Sequence, residues 1–131
     1  SGAFLVTQIT LSGEHTMGDI TKFLNKLRTD PENIQFSDVI ALVDAHYDHI
    51  PTVFSNGAMI NQATQNQGSA KVFSFARIHN LSEIETLQCF AEHFRDVEAN
   101  PDGNNHQNIR QFIANGWAGI RLPYNCLTTR S

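Results

Sequence analysis

The sequence predicts an α+β domain in which about five helices pack with a small antiparallel sheet. Two local patterns lead to this fold class: several segments repeat apolar residues at helical spacing, and an Asn56-Gly57 pair separates two short apolar runs. The length of 131 residues corresponds to one domain. Hydrophobic residues make up 40% of the chain, which suffices for a packed core and excludes an intrinsically disordered protein.

The N-terminal segment differs in pattern from the rest of the chain. Alternating apolar residues between Leu5 and Leu11 are typical of a short strand, and Met17 stands where a native chain can start. We therefore predict a leader at residues 1–16, outside a single domain at residues 17–131.

Two amphipathic helices are predicted in the first half of the domain. The first covers residues 18–28, where apolar residues follow the i, i+3, i+4, i+7 spacing from Ile20. Pro31 ends it, because the residue before a proline avoids the helical region. The second runs from Asp38 to about Tyr47.

The predicted sheet consists of a hairpin and one returning strand. The Asn56-Gly57 turn closes a hairpin near residues 52–60. A C-terminal strand near residues 117–122 is expected to return against that hairpin.

Three further helices are predicted in the second half. The almost wholly apolar segment 69–79 is interpreted as a buried helix, although a strand competes there. A capping box at Ser82 and Glu85 opens a helix over residues 82–97. The last helix covers residues 105–115.

Composition excludes several functional classes. A net charge of −4 provides no basic surface for nucleic acid, and no apolar run is long enough to span a bilayer. Cys89 and Cys126 are too few for a disulfide framework or a thiolate zinc site. With no recognisable signal peptide, the expected location is the cytoplasm.

The densest set of potential ligands is Asp44-Ala-His46-Tyr47-Asp48. Imidazole and carboxylate groups suit zinc, iron or manganese. On a helix, however, Asp44 and Asp48 share a face, whereas His46 points toward the apolar side. We therefore predict a buried core histidine here and no metal site or cofactor.

Two loops resemble known binding motifs but lack an essential residue. The run from Glu98 to Gly103 resembles the first half of an EF-hand loop, yet Ile109 stands where the closing Glu is required. The Gly68-Ser-Ala-Lys71 run lacks the full phosphate-loop pattern. Neither calcium nor a nucleoside triphosphate is predicted.

The start of the last helix is a candidate anion site. His106 and Arg110 lie four residues apart on one face, next to free N–H groups and the positive end of the helix dipole. The alternative is that Asn104 or Asn105 caps the helix while both side chains are solvated. Both interpretations stay open at this point.

Several motifs occur together in one order along the chain. They are Asp44-Ala-His-Tyr-Asp, Pro51-Thr-Val-Phe-Ser-Asn-Gly, Asn66-Gln-Gly-Ser, Lys71-Val-Phe-Ser-Phe-Ala, His106-Gln-Asn-Ile-Arg and Gly116-Trp-Ala-Gly-Ile-Arg. In this order they resemble the HopJ type III effector family. The resemblance extends over about Met17–Leu122 and is specific as a set, although each motif alone is weak.

The resemblance implies a small bacterial effector that is delivered through a type III secretion apparatus. It implies no catalytic residues. The polar positions that match form a candidate binding groove. They are Asp44, His46, Tyr47, Asp48, Asn66, Lys71, His106, Asn108 and Arg110, together with Trp117.

Two functional hypotheses follow. The first is a binding module that recognises a host protein or a small polar ligand. The second is a small hydrolase-like enzyme in which His46 or His106 is the general base and Asp44 or Asp48 orients it, with or without metal assistance. The absence of a complete catalytic motif favours the binding module.

Overall fold

A computed structural model describes residues 11–130. Within them the chain forms six α-helices and two small antiparallel sheets, so the α+β prediction is confirmed. The helices are α1 Leu11–Thr29, α2 Phe36–His46, α3 Gln67–Ile78, α4 Glu83–Gln88, α5 Glu92–Ala99 and α6 Gln107–Asn115. Short 3₁₀ turns occupy Pro31–Asn33 and Gly116–Gly119.

The strands are short, with two or three residues each. They are β1 Tyr47–His49, β2 Phe54–Asn56, β3 Met59–Asn61, β4 Ile120–Arg121 and β5 Leu127–Thr129. One sheet has the order β3-β2-β4, and the other pairs β1 with β5.

The first sheet contains both strand features that the sequence predicts. Strands β2 and β3 form the hairpin, with Gly57 in the turn at a φ of +59°, a value that favours glycine. Strand β4 pairs antiparallel with β2, opposite Ser55 and Asn56. The hairpin and the returning strand are therefore confirmed.

The second sheet has no counterpart in the prediction. The second helix ends at His46 instead of Tyr47, because the chain there turns extended and pairs Tyr47 with Thr129. The pairing joins residues more than eighty positions apart, which no local pattern reveals. As a consequence Asp48 lies in β1, and it does not share a helix face with Asp44.

The prediction of one continuous helix over residues 82–97 is wrong, because the segment forms two helices, α4 and α5. It begins as predicted, because the Glu85 amide donates to Ser82 Oγ at 3.1 Å and the Ser82 amide donates to Glu85 Oε1 at 2.9 Å. It then breaks between Gln88 and Glu92, where Ala91 takes a φ of +55°. At this break Phe90 packs into the core beside Phe73, with ring centroids 5.4 Å apart.

The first helix starts earlier than predicted. Helix α1 already includes Leu11, so it crosses the expected boundary at Met17. Residues 1–10, which hold most of the predicted strand and leader, lie outside the described residues. The division into a leader at 1–16 and a domain at 17–131 stays a prediction.

Helix α3 is the centre of the core. Its residues Val72, Phe73, Phe75 and Ala76 are completely buried, which explains why this segment is apolar on all sides. The helical interpretation of residues 69–79 is therefore confirmed. None of the helices within residues 11–130 is long and apolar enough to cross a membrane.

Candidate ligand-binding pocket

A cavity of about 440 Å³ opens where three helices begin. Gly68 and Ser69 line it from the first turn of α3, His93 from the first turn of α5, and Gln107 and Asn108 from the first turn of α6. The first N–H groups of a helix have no partner within that helix. The amides of Ser69 and His93 donate to the carbonyls of Asn66 and Phe90, so the backbone donors left for a ligand are those of Gly68, Gln107 and Asn108.

Each of these helices is entered through a residue with positive φ. Asn66, Ala91 and His106 directly precede α3, α5 and α6, with φ values of 51°, 55° and 52°. Non-glycine residues adopt this region at an energetic cost. A sharp turn therefore precedes each helix, and residues from all three helix starts line the same cavity.

One wall of the cavity is a continuous row of aromatic rings. The centroids of Phe90 and Phe36 are 6.1 Å apart, those of Phe36 and His93 4.8 Å, and those of His93 and His106 5.0 Å. All four residues line the cavity. Each ring thus lies at the distance that favours contact between aromatic side chains.

His106 is held in place by a carboxylate. Its Nε2 atom lies 3.1 Å from Asp96 Oδ2, and the same oxygen accepts a hydrogen bond from Asn105 Nδ2 at 3.2 Å. Asn100 donates to the other oxygen of Asp96 at 3.1 Å. Because Asp96 occupies Nε2, the Nδ1 atom of His106 is the ring nitrogen left for a ligand.

A network of asparagine side chains lies on the side of the pocket opposite the aromatic rings. Asn61 Oδ1 accepts from Asn66 Nδ2 at 2.8 Å and from Asn108 Nδ2 at 3.0 Å. Asn56 Nδ2 donates to the Asn108 carbonyl at 2.7 Å. Asn56, Asn61 and Asn108 are buried, so the network ties the β2–β3 hairpin to α6 in a dry environment.

The lining of the pocket is mixed in polarity, and the only titratable side chains among its described residues are those of His93 and His106. In the part of the chain that the structure describes, the lining residues include no Asp, Glu, Lys or Arg. The carboxylates of Asp96 and Glu92 lie directly behind the lining, against His106 and the Phe36 amide. This arrangement suits a ligand with hydrogen-bonding groups and no strong charge.

Three of the predicted site residues line this cavity: Asn66, His106 and Asn108. Sequence reasoning missed Phe36, Phe90 and His93, which reach the cavity only through helix packing. The signal that existed for the network was the unusual amide content, twelve Asn and eight Gln, but it did not identify Asn56 or Asn61.

The acidic residues of the Asp44–Asp48 segment, predicted to belong to the binding groove, form ion pairs away from the pocket. Asp44 Oδ1 lies 2.8 Å from Lys71 Nζ, and this pair joins α2 to α3. Asp48 Oδ1 lies 3.4 Å from Arg130 Nε. Among the described side chains, no three of His, Cys, Asp or Glu lie together in a way that could hold a metal ion.

His46 and Tyr47 are core residues. His46 is 8% exposed, and its Nε2 atom lies 3.6 Å from Asp19 Oδ2. The Tyr47 hydroxyl lies 2.8 Å from His79 Nε2. Burial raises the pKa of Tyr47 and lowers the pKa of His79, so this contact joins a neutral phenol to a neutral imidazole at pH 7.

Arg110 and Trp117 also have structural contacts. The Arg110 guanidinium donates to the carbonyls of Asn105 and Pro101 at 2.6 and 3.2 Å, so it holds the loop between α5 and α6. The guanidinium is therefore engaged by this loop, and Arg110 does not line the cavity that His106 lines. The Trp117 ring packs edge-on against Phe112 at 5.2 Å.

A cysteine and a histidine meet outside the pocket. Cys126 Sγ lies 3.5 Å from His49 Nδ1. Burial raises the pKa of the Cys126 thiol and lowers the pKa of His49, so the pair is a thiol and a neutral imidazole. A nucleophilic cysteine needs the thiolate form, which this environment disfavours.

A family comparison agrees with the order of motifs. The profile of a family described as HopJ type III effector protein matches residues 20–127. The chain belongs to the HopJ type III effector family. The pocket lies entirely within the HopJ segment, because its lining residues run from Phe36 to Ile109.

The HopJ fold is also present in a solved structure. The crystal structure described as that of the unknown function protein VPA0580 is similar to this chain, with a TM-score of 0.80 and 40% sequence identity. The similarity covers 84% of this chain and 92% of that chain. The comparison with curated proteins found no match.

Proposed function

We propose that this HopJ family member is a binding protein for a small polar ligand that occupies the pocket at the starts of α3, α5 and α6. The observation that carries the proposal is the cavity itself, about 440 Å³ in volume and lined by both rings and amides. Ligand sites are typically concave, mixed in polarity and of this size.

The pocket walls supply hydrogen bonds in both directions. The amides of Asn66 and Gln107 have donor and acceptor groups, and the Ser69 hydroxyl has both. The N–H groups of Gly68, Gln107 and Asn108 add donors, because none of the three has an acceptor within its own helix. A polar ligand can therefore exchange its water contacts for protein contacts.

The pocket is also organised before a ligand arrives. The asparagine network holds one side, and the Asp96 carboxylate holds His106 on the other. Ordering these groups in advance lowers the entropy that binding would otherwise lose.

The proposal is tested by thermal unfolding of the purified protein in the presence of small polar compounds. A ligand at a hundred times its dissociation constant adds about 2.7 kcal/mol, which raises the midpoint by several degrees. Ser69→Phe places a ring in the pocket and should abolish the shift. Thr21→Phe places the same ring on the exposed face of α1 and should leave the shift unchanged.

Two results would contradict the proposal. One is a folded protein that responds to no compound across nucleosides, sugars, amides and small acids. The other is a response that Ser69→Phe does not change, because the ligand would then occupy another place.

We further propose that the protein meets its ligand inside a host cell. The HopJ description as type III effectors supports delivery into a host cell, where the ligand or a host protein partner is met. The test fuses the full chain to a translocation reporter in bacteria with and without a working type III apparatus. Equal reporter signals in the two strains would contradict delivery by this route.

A second candidate function is general-base catalysis by His106. The contact between His106 and Asp96 favours it, since a carboxylate that orients an imidazole is common in hydrolases. The orienting residue is then Asp96, in place of the predicted Asp44 or Asp48. Hydrolysis of a model ester panel that His106→Asn abolishes would support this candidate, and a variant as active as the parent would contradict it.

A further inference from the structure

We infer that the ligand of this pocket is a flat, uncharged heteroaromatic ring of the nucleobase type. The inference rests on the proposed function, because it names the class of ligand for the same site. Three features support it. They are the aromatic residues Phe36, Phe90, His93 and His106 on one side of the pocket (the ring wall), the amide residues Asn66, Gln107 and Asn108 on the other (the amide wall), and the charged groups behind them.

The ring wall favours an aromatic ligand. Phe90, Phe36, His93 and His106 follow one another at centroid distances of 6.1, 4.8 and 5.0 Å. Aromatic rings gain most from neighbours that are also rings, in stacked or edge-on contact. A planar ligand placed in the cavity continues this row, whereas a sugar or an aliphatic chain meets only part of it.

The amide wall favours a heterocycle over a hydrocarbon ring. Asn66, Gln107 and Asn108 present carboxamides or first-turn N–H groups to the cavity. The edges of nucleobases have alternating donors and acceptors, and a carboxamide pairs with such an edge through two hydrogen bonds. Asn66 Nδ2 and Gln107 Nε2 each make one hydrogen bond within the protein, to Asn61 and to the Asn104 carbonyl, so their carboxamides keep further donor and acceptor capacity that a heterocycle can use and a ring of carbon atoms cannot.

The charges around the pocket disfavour an anion. The lining within the described residues has neither Lys nor Arg to pair with a phosphate or carboxylate. Behind it, Asp96 Oδ2 lies 3.1 Å from the His106 imidazole, and Glu92 Oε1 accepts from the Phe36 amide at 2.6 Å. Glu92 in the first turn of α5 and Asp96 against His106 at the start of α6 offset the positive ends of these two helices, so a neutral ligand is preferred.

The test measures binding of adenosine, guanosine and cytidine, with ribose, inorganic phosphate and acetate as comparison probes. Saturable NMR shifts at the side-chain amides of Asn66, Gln107 and Asn108 report occupancy of the pocket. Binding of at least one nucleoside, with no binding of the comparison probes at equal concentration, is the expected result. The nucleobase then supplies the recognition.

Variants of the ring wall test the stacking. Phe36→Leu keeps an apolar side chain without a ring and should weaken nucleoside binding roughly five- to a hundredfold, while Phe36→Trp keeps a ring and should retain it. Because Phe36 also packs against the hydrophobic core, His93→Gln provides a second variant, which should likewise weaken nucleoside binding.

The outcomes separate this inference from the proposed function. If ribose, phosphate or acetate shift the pocket amides and no nucleoside does, the ligand class is wrong and the binding function stands. If every probe leaves those amides unchanged, and broader panels do so as well, both are overturned. Nucleoside binding that is equally tight in Phe36→Leu and His93→Gln overturns the stacking argument.

Discussion

The imidazole of His106 is fixed by Asp96, whose Oδ2 atom lies 3.1 Å from Nε2. The two residues lie on opposite sides of the loop between α5 and α6, so the contact closes that loop while it sets one wall of the pocket. Asn100 and Asn105 donate to the same carboxylate. One acidic side chain therefore joins the stability of the loop to the geometry of the site.

Asp96→Asn should weaken this loop. The substitution replaces one acceptor oxygen by an NH₂ group, which faces the donors of Asn105 and His106. Because the carboxylate is partly exposed, we expect a loss of about 1 kcal/mol in the free energy of unfolding, measured by urea denaturation. Asp102→Asn, at an exposed position of the same loop, is the control and should change stability by less than about 0.5 kcal/mol. Equal effects of the two variants would contradict the structural role of Asp96.

The buried amide network should be sensitive to the loss of one member. Asn61→Leu removes the acceptor shared by Asn66 and Asn108 and leaves the buried Asn108 donor without a partner. An unsatisfied buried donor costs about 1–3 kcal/mol, so the midpoint of urea unfolding should fall with little change in its slope. Asn104→Leu, on the exposed loop, is the matched control and should unfold like the parent. A parent-like Asn61→Leu protein would show that the network contributes no stability.

The stability of the protein should decrease as the pH falls below about 6.5, in part because of His79. Burial lowers the pKa of His79 in the folded state, so between its folded and unfolded pKa values the unfolded chain binds more protons. The neutral histidine therefore stabilises the fold above the unfolded pKa, and this contribution is lost as the pH falls through the folded value.

His79→Gln should reduce this pH dependence while it keeps a polar group near the Tyr47 hydroxyl. The measurement is the free energy of unfolding at pH 7 and at pH 5.5, for parent and variant. The difference between the two pH values should be smaller in the variant. His49, whose pKa burial also lowers, contributes in the same direction and should keep part of the difference. An unchanged difference would contradict the role of His79.

The break between α4 and α5 predicts an unusual effect of glycine. Ala91 has a φ of +55°, a region that glycine adopts without strain. Relief of this strain outweighs the loss of one fully buried methyl group, so Ala91→Gly should raise the free energy of unfolding by at most about 1 kcal/mol. Ala41→Gly, at an exposed position inside α2, should lower it by about 1 kcal/mol, because glycine disfavours an ordinary helix. The same sign for both variants would show that Ala91 is not strained.

Features that depend on neighbouring residues were predictable from the sequence. The Asn56-Gly57 turn, the capping box at Ser82 and the largely buried helix α3 appear where the local patterns place them. Each results from interactions within a few residues, such as a backbone turn, a side-chain cap or the exclusion of water from an apolar segment. The order of polar motifs also identified the family.

Features that depend on distant residues required the tertiary structure. The β1–β5 pairing, the bend at Ala91 and the exit of the chain from α2 at His46 are all decided by what packs against them. Local periodicity carries no information about such partners. For this reason the predicted helix at residues 82–97 was continuous and the predicted helix at 38–47 ended one residue late.

Some of the pocket residues could be predicted from local sequence, and the others only from the tertiary structure. Asn66, Asn108 and His106 attracted attention in the sequence through their residue type and their position near helix starts. Phe36, Phe90 and His93 join them in the pocket only because helices from different parts of the chain pack together. The same packing pairs Lys71 with Asp44 away from the pocket. Local sequence patterns thus indicated most of the elements and the family. Tertiary packing decided which helix ends meet, because the contacts that bring them together are made between residues some tens of positions apart.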